Sequence, residues 1–454
     1  MNLTGKQVLV AGLGKSGIAA GALLKKMGCI VRLFDGNEAF DTAAFKKTNP
    51  VFADCRIWVK ELPDEAARKT ELAVVSPGIP LDSPAMVKLH NAGIPIWGEA
   101  ELACRFAKGR VAAITGTNGK TTTTTLVGEI LKKCYPEVFV VGNIGIPYTS
   151  IVEQTTDQTV TAVEISSFQL ETMETFHPSV SAILNITPDH LDRHHTMEAY
   201  VRAKESIVKC QDENDTCVLN YEDELLRSFA GTVNAQVLFF SSKRVLKEGI
   251  YLQEDAIWIA ERGKEPEHLI DIGELKLLGT HNYENVMAAS SVAIRMGAPV
   301  DTVRSVLREF QGVAHRIEFV RKLKDVLYYN DSKATNPDAA IRGIRAMNRR
   351  TVLIGGGYDK DLEFDEWIEN FDGKVKCLVL IGQTKEKIAV CARRHGFENI
   401  LCCDTLKEAV SACYALAEPG EAVLLSPACA SWGDFRDYTQ RGDLFRQYVS
   451  ELPE

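Results

Sequence analysis

Short apolar runs rich in β-branched residues recur along the chain, each followed by a longer stretch of helical pattern, and this alternation constrains the fold more than any other feature. QVLVAG (7–12), IVRLFD (30–35) and LAVVSPG (72–78) come first. VFVVG (138–142), VTAVEIS (160–166), SAILNIT (181–187) and CVLN (217–220) follow, then VLYYNDS (326–332), TVLIGGG (351–357), KCLVLIG (376–382), NILCC (399–403) and AVLLSPA (422–428). Unbroken apolar strands are buried on both faces, which requires parallel sheets covered by helices on each side. At 454 residues the chain exceeds one ordinary core, so about three domains are expected. The reading is an α/β protein of three domains, each on a mainly parallel sheet. These are a Rossmann-like unit over 1–109, a P-loop-type ATPase unit over 110–312 and a second Rossmann-like unit over 313–454. Between 237 and 276 the pattern shifts to short alternating stretches, GIYLQ and AIWIA, which read as hairpins added to the central sheet.

A net charge of −9 and a pI near 5.6 exclude a broad nucleic-acid-binding face, which needs clustered Lys and Arg. No apolar run reaches membrane-spanning length, and MNLTGKQVLVAG enters a strand without a signal-like region. A cytoplasmic, monomeric protein without membrane or nucleic-acid partners is the expectation. The twelve cysteines show no C-x-x-C pair and no zinc or disulfide spacing, and read as reduced, packed thiols.

Gly12-Leu13-Gly14-Lys15-Ser16-Gly17 matches G-x-G-x-x-G directly after a strand, and Asp35 ends the next strand where an acidic ribose contact would stand. The glycines let a diphosphate approach amides at a helix N-terminus, and any nucleotide diphosphate satisfies that. The plainer reading is a tight turn that binds nothing.

The stronger signal is Gly116-Thr117-Asn118-Gly119-Lys120-Thr121, between a strand and a helix. Backbone amides and Lys120 would cradle triphosphate oxygens while a hydroxyl of Thr121 reaches Mg²⁺. The loop is shorter than G-x-x-x-x-G-K-[ST], because Ile114 stands where that pattern has its first glycine. The threonine run behind it reads as partly helix surface. Mg²⁺ needs oxygen ligands on neighbouring strand ends, and Glu164 is placed for this. As a lone helix residue, Lys204 reads as an exposed lysine, and His190 equally as a cap or core histidine.

GTNGK[ST] is the form carried by Mur ligases and folylpolyglutamate synthetases. Together with NITPDHLDRH (185–194), Lys204, LGTHNYEN (278–285), HRIE (315–318), DSKATNPDA (331–339) and LLSPACAS (424–431), the chain resembles the Mur ligase family over nearly its whole length. The likeness is to the members that add D-glutamate. It implies ATP as co-substrate, two Mg²⁺ ions, and a carbamylated Lys204, the carbamate turning an amine into a carboxylate. Lys120, His190 and Lys204 would be catalytic, with Thr121, Glu164, His190 and Lys204 around metal. Gly116, Thr117, Asn118, Gly119, Lys120, Thr121, Thr122, Asn282, Asn285, Arg316 and Asp331 would hold ATP. UDP-N-acetylmuramoyl-L-alanine would meet Leu13, Lys15, Ser16, Asp35, Gly36, Ser76, Pro77, Gly78 and Asn143. D-Glutamate would meet Lys333, Thr335, Lys360, Ser431 and Tyr438. The implied reaction is ADP-forming amide synthesis through an acyl phosphate in peptidoglycan precursor synthesis. The third domain would close over ATP about a hinge near 312–322.

Rival readings remain open at this level. A folylpolyglutamate synthetase shares GTNGK[ST] but does not need the amino-terminal nucleotide-binding unit. An NAD(P)-binding oxidoreductase would use the first loop and no ATP, and a nucleotide-sensing module would bind ATP without releasing ADP.

Overall fold

The computed structural model describes residues 2–454, apart from the side chain of Asp192. Three sheets carry the fold. The first is wholly parallel in the order β3-β2-β1-β4-β5, formed by β1 (Gln7–Ala11), β2 (Ile30–Asp35), β3 (Ile57–Val59), β4 (Leu72–Val75) and β5 (Ile96–Gly98). The strand order reverses direction about β1 and β4, so the loops leaving these two strands lie side by side. Such switch points are where open α/β sheets take ligands.

The central sheet has nine strands, β14-β13-β12-β11-β10-β9-β6-β8-β7. Its parallel part comprises β6 (Arg110–Thr115), β7 (Val138–Gly142), β8 (Val160–Glu164), β9 (Val180–Ile183), β10 (Thr216–Asn220) and β11 (Gln236–Ser241). The register sets Ile114 beside Glu164 and Thr115 beside Ile183, which brings the loop after β6 next to the ends of β8 and β9. The expected hairpin is present. β12 (Gly249–Gln253) and β13 (Ala256–Ala260) pair antiparallel through a two-residue turn with Glu254 at φ 53°, and β14 (Glu267–Asp271) completes the sheet.

The third sheet runs β15-β16-β20-β17-β18-β19, from β15 (Glu318–Leu323), β16 (Val326–Asn330), β17 (Thr351–Gly356), β18 (Val375–Ile381), β19 (Ile400–Cys402) and β20 (Ala422–Leu425). It is parallel except for β15, which pairs antiparallel with β16. This edge strand was not anticipated from IEFVRKL, in which Glu318 and the adjacent Arg321 and Lys322 break the strand pattern. Because Glu318–Lys322 is part of an ordered ladder, the segment expected to act as a hinge is confined to the residues before it.

The chain forms two compact units, residues 1–269 with 284–306, and residues 270–283 with 307–454. The chain therefore passes between the units three times. Among the described residues no helix is long and apolar enough to cross a membrane.

Candidate active site

The loop after β1 is built around glycines that cannot be replaced without collision. Gly12 has φ 86°, and a Cβ at Gly17 would stand 1.8 Å from the Gly12 carbonyl oxygen. The helix Lys15–Lys26 starts with no side-chain cap and no acidic residue in its first turn, leaving its amides for an anion. Lys15 and Gly14 are exposed there. Leu13, expected to meet the nucleotide substrate, has its side chain buried in the core, and its amide donates to Asp35 Oδ2 at 3.0 Å. Asp35 Oδ1 accepts the Asn37 amide at 2.9 Å, so the carboxylate ties the loop to the turn containing Gly36. Ser76 Oγ donates to the Gly12 carbonyl at 2.8 Å, joining the Ser76-Pro77-Gly78 turn to the same loop.

Arg193 reaches this turn from the central sheet. Its Nη1 donates to the Pro77 carbonyl at 3.4 Å, its Nη2 pairs with Glu171 at 2.8 Å, and it lies over the Phe168 ring at 4.7 Å. His190 packs against the same ring at a 58° tilt, with centroids 4.8 Å apart and φ 52° at its backbone. Half of its side chain is exposed, beside Asp189.

At the end of β6 the loop turns through Gly116 (φ 147°) and Gly119 (φ 85°), the latter capping the helix Lys120–Cys134. A Cβ on Gly119 would fall 2.1 Å from Asn285 Oδ1. Lys120 Nζ donates to the carbonyls of Gly116 and Thr117, both at 2.9 Å, curling back over the loop. Asn118 N donates to Asn185 Oδ1 at 2.8 Å, and Thr117 Oγ1 meets the Tyr200 hydroxyl at 2.9 Å and donates to the Thr187 carbonyl. Thr121 is half-buried. Thr122 to Thr124 are buried against the sheet, unlike the surface reading of that run, and Thr123 donates to Asn285 Oδ1 at 3.4 Å.

Lys204 is not an exposed helix lysine. It is 1% exposed, and its Nζ donates to the Gly116 carbonyl at 2.8 Å, the same oxygen that Lys120 uses. Burial and the Lys120 charge push its pKa down to about 7, against a smaller pull upward from Asp189. Glu164 is buried at the end of β8. Its Oε1 accepts from Asn143 Nδ2 at 2.8 Å, while its Oε2 is buried without a hydrogen-bond partner. An orphaned carboxylate oxygen costs free energy unless a cation or donor reaches it, and it sits on the strand adjacent to the Thr121 loop. The oxygen donors on these adjacent strand ends, the Thr121 hydroxyl and the buried Glu164 carboxylate oxygen, fit Mg²⁺. Asn143, expected to face the nucleotide substrate, is the residue that donates to Glu164.

The C-terminal unit gathers the remaining candidates. Asp331, directly after β16, is buried, accepts from Ser426 Oγ at 2.7 Å and from the Ile317 amide at 3.3 Å. Burial pushes its pKa up to about 7, partly offset by Ser426 and by the Arg316 charge. Arg316 is exposed, and Asn282 donates to the Leu278 carbonyl at 2.8 Å. Lys333 lies 5.1 Å over the Tyr438 ring, with Thr335 half-buried two residues on. Lys360 lies 4.3 Å over Trp432, adjacent to the buried Ser431. The structure thus brings Lys333 to Tyr438 and Lys360 to the Ser431 loop, each ammonium held by an aromatic face.

Three family models match in order along the chain: the Mur ligase MurD-like N-terminal domain at 6–98, the Mur ligase middle domain at 114–293, and the Mur ligase glutamate ligase domain at 315–429. Proteins named UDP-N-acetylmuramoylalanine--D-glutamate ligase are similar throughout. That of Lachnoclostridium phytofermentans is 54% identical, that of Lachnospira eligens 49% and that of Clostridioides difficile 42%, each match covering 100% of both chains. The chain belongs to the Mur ligase family. Two solved structures share its fold at 18% identity: MurC of Thermotoga maritima, with a TM-score of 0.61 over 98% of this chain and 100% of that one, and MurF of the same organism in complex with ADP, with 0.57 over 99% and 96%. The folylpolyglutamate synthetase and oxidoreductase readings are not favoured by these matches.

Several residues that shape this Mur ligase's site carried no readable signal in the sequence. Arg441 is fully buried and bonds Ser332 Oγ (3.0 Å), the Ser332 carbonyl (2.8 Å) and the Cys429 carbonyl (3.1 Å), fixing the loops after β16 and β20 against each other. His194, left unassigned beside His190, is the more embedded of the two, with Nε2 at 2.9 Å from Ser167 Oγ and Nδ1 at 3.2 Å from Glu171.

Asp331 holds its proton more tightly folded, at about 7, than an unfolded aspartate does at about 3.9. Between these values the folded state binds more protons, so this group makes stability fall as pH rises, by up to about 1.4 kcal/mol per unit. In Asp331→Asn the urea midpoint should fall less between about pH 5 and about pH 8 than in the wild type. An equal fall in both proteins would show that Asp331 does not titrate in that window.

Proposed function

We propose that this Mur ligase joins D-glutamate to UDP-N-acetylmuramoyl-L-alanine at the expense of ATP, releasing ADP and phosphate, in the cytoplasm and as a monomer. The single observation that carries this is full-length similarity to enzymes of that name, with the three family models in order over three sheets. The domain boundaries we propose are 1–109 for the nucleotide substrate, 110–312 for ATP and 313–454 for the amino acid.

ATP would lie on the loop Gly116–Thr122, where Lys120 lets go of the loop carbonyls to meet phosphate oxygens, with Asn282, Asn285, Arg316 and Asp331 toward the nucleoside and phosphates. The γ-phosphoryl group passes to the alanyl carboxylate, the amine of D-glutamate attacks the acyl carbon, and the C–O bond to phosphate breaks as the tetrahedral adduct collapses. Lys120 supplies positive charge where the phosphoryl group and carboxylate meet, and His190 helps to orient that carboxylate. Thr121, Glu164, His190 and a carbamylated Lys204 would hold Mg²⁺, which when bound neutralises phosphate oxygens. The carbamate reading is supported by an amine buried beside Lys120 and bonded to a neutral carbonyl, held at a pKa where the neutral, CO₂-reactive form is well populated. Lys333, Thr335, Lys360, Ser431 and Tyr438 would bind the two carboxylates of D-glutamate. Leu13, Lys15, Ser16, Asp35, Gly36, Ser76, Pro77 and Gly78 would surround the uridine nucleotide, Leu13 through its backbone.

Purified protein with Mg-ATP and UDP-N-acetylmuramoyl-L-alanine should release phosphate with D-glutamate and not with L-glutamate, L-alanine or L-lysine. Release with another of these acceptors would move the amino-acid assignment; release with none would remove the ligase reading. Asn143→Ala should raise the Mg²⁺ needed for half-maximal rate by about 10–100-fold, because it frees a metal-facing carboxylate to rotate. A rise confined to the KM for the nucleotide substrate would instead make Asn143 a substrate contact. Protein equilibrated with ¹³C-bicarbonate should show a carbamate carbon resonance that Lys204→Ala lacks; an unchanged spectrum in the variant would refute carbamylation of Lys204.

A further inference from the structure

Two helices of the C-terminal unit, Asp365–Glu369 and Lys385–Arg394, turn a set of soft and hard donors toward one another outside the ligase residues. Cys391 and His395 are four apart at the end of the longer helix, so they share a face; Asp365 and Glu369 are four apart on the shorter one. One ligand atom each from Asp365, Cys391 and His395 lies within 4.8 Å of the others. His395 Nε2 is 2.8 Å from Asp365 Oδ1, and its Nδ1 faces Glu369 Oε1 at 3.7 Å. The Cys391 thiol is buried at the rim of the core, and the His395 ring is 24% exposed.

A cation already spans two of these donors. The guanidinium Nη2 of Arg394 bonds Asp365 Oδ1 and lies 3.8 Å from Cys391 Sγ, so positive charge stands between the carboxylate and the sulfur. The Arg394 side chain is 64% exposed and can swing into water without unburying anything.

We propose that Asp365, Cys391 and His395 form a zinc site, with Glu369 accepting from the far nitrogen of the histidine and Arg394 leaving when the metal enters. The chemistry selects the ion. One thiolate, one imidazole and one carboxylate suit Zn²⁺, at about 2.3 Å to sulfur and about 2.0–2.1 Å to nitrogen, with water completing a tetrahedron. Magnesium would reject the thiolate. For tetrahedral bonds of these lengths the His395–Asp365 hydrogen bond opens by roughly half an ångström. Binding releases the thiol proton to solvent. A carboxylate behind the ligand histidine fixes its tautomer and ring plane, and Glu369 stands there. The metal would pin the end of a helix whose other end begins at Thr384, which bonds Gly357 at 3.0 Å and contacts Cys429 at 3.4 Å behind the Lys360 and Ser431 loops. The role is structural bracing.

Chelator-treated full-length protein titrated with Co²⁺ should develop a thiolate-to-cobalt charge-transfer band and tetrahedral visible bands, both abolished by Zn²⁺. The ligase metal ligands include no thiol, so a metal bound there gives no such band. Cys391→Ser should abolish the band, Glu369→Gln should weaken Zn²⁺ binding about 10-fold, and Arg394→Ala should tighten it. Zn²⁺ should raise the melting temperature of the wild type and not that of His395→Asn, whose partly exposed ring can be lost without disturbing the core. Absence of the band in the wild type, its persistence in Cys391→Ser, or equal Zn²⁺ affinity in His395→Asn would each overturn the proposal.

Discussion

The Gly116 carbonyl accepts from two lysines, and much of the central site depends on that one oxygen. Lys120 and Lys204 reach it from a helix start and from a separate helix, at 2.9 and 2.8 Å, so their nitrogens are under about 6 Å apart. Two ammonium groups at that distance repel by about 3 kcal/mol at an effective dielectric of about 20. The repulsion is relieved by deprotonating the more deeply buried amine, by converting it to an anion, or by bringing in an anion for Lys120. A nucleotide triphosphate accomplishes the last. On the proposed function, phosphate would offset the cost of freeing Lys120 from the Gly116 and Thr117 carbonyls.

A related logic governs the C-terminal unit. Arg441 is buried with hydroxyl and carbonyl partners in place of a carboxylate, and burial lowers its pKa to about 10. Asp331 is buried with its proton affinity raised, although Arg316 and Arg342 act on it. Charges placed in a dry interior without full compensation cost stability, and such sites are where ligand charge is best rewarded. The aromatic supports under Lys333 and Lys360 serve the same end, holding ammonium groups near the loops without neutralising them as a carboxylate would.

The parts of this arrangement that the sequence revealed are those set by local rules. Strand-loop-helix alternation located three sheets, because parallel strands must be apolar throughout, and the glycine loops were visible because positive φ and close backbone approach demand glycine. What stayed hidden depends on tertiary placement. Nothing in YVRAKES distinguishes a buried Lys204 from a surface lysine, since the helix face it occupies is set by the loop it meets. Asn143 gave no sign that its partner would be Glu164, twenty-one residues on, until β7 and β8 paired in register. The β15 edge was obscured because its charged positions mask the alternation. Thr122 to Thr124 read as surface because threonine is polar, yet β-branched methyl groups pack well against a sheet.

Asp35 binds the first glycine loop together. In a dinucleotide site the acid at the end of the second strand hydrogen-bonds a ribose hydroxyl. Here Oδ2 accepts the Leu13 amide and Oδ1 the Asn37 amide, so the carboxylate closes the loop on itself. The same bond removes the Leu13 amide from the set that could cradle a pyrophosphate. What the loop still offers are the uncapped amides at the start of the Lys15–Lys26 helix, the exposed Lys15 ammonium, and a turn at Ser76 fastened to it by the Gly12 carbonyl. On the proposed function, these groups would meet a diphosphate end-on at the helix start.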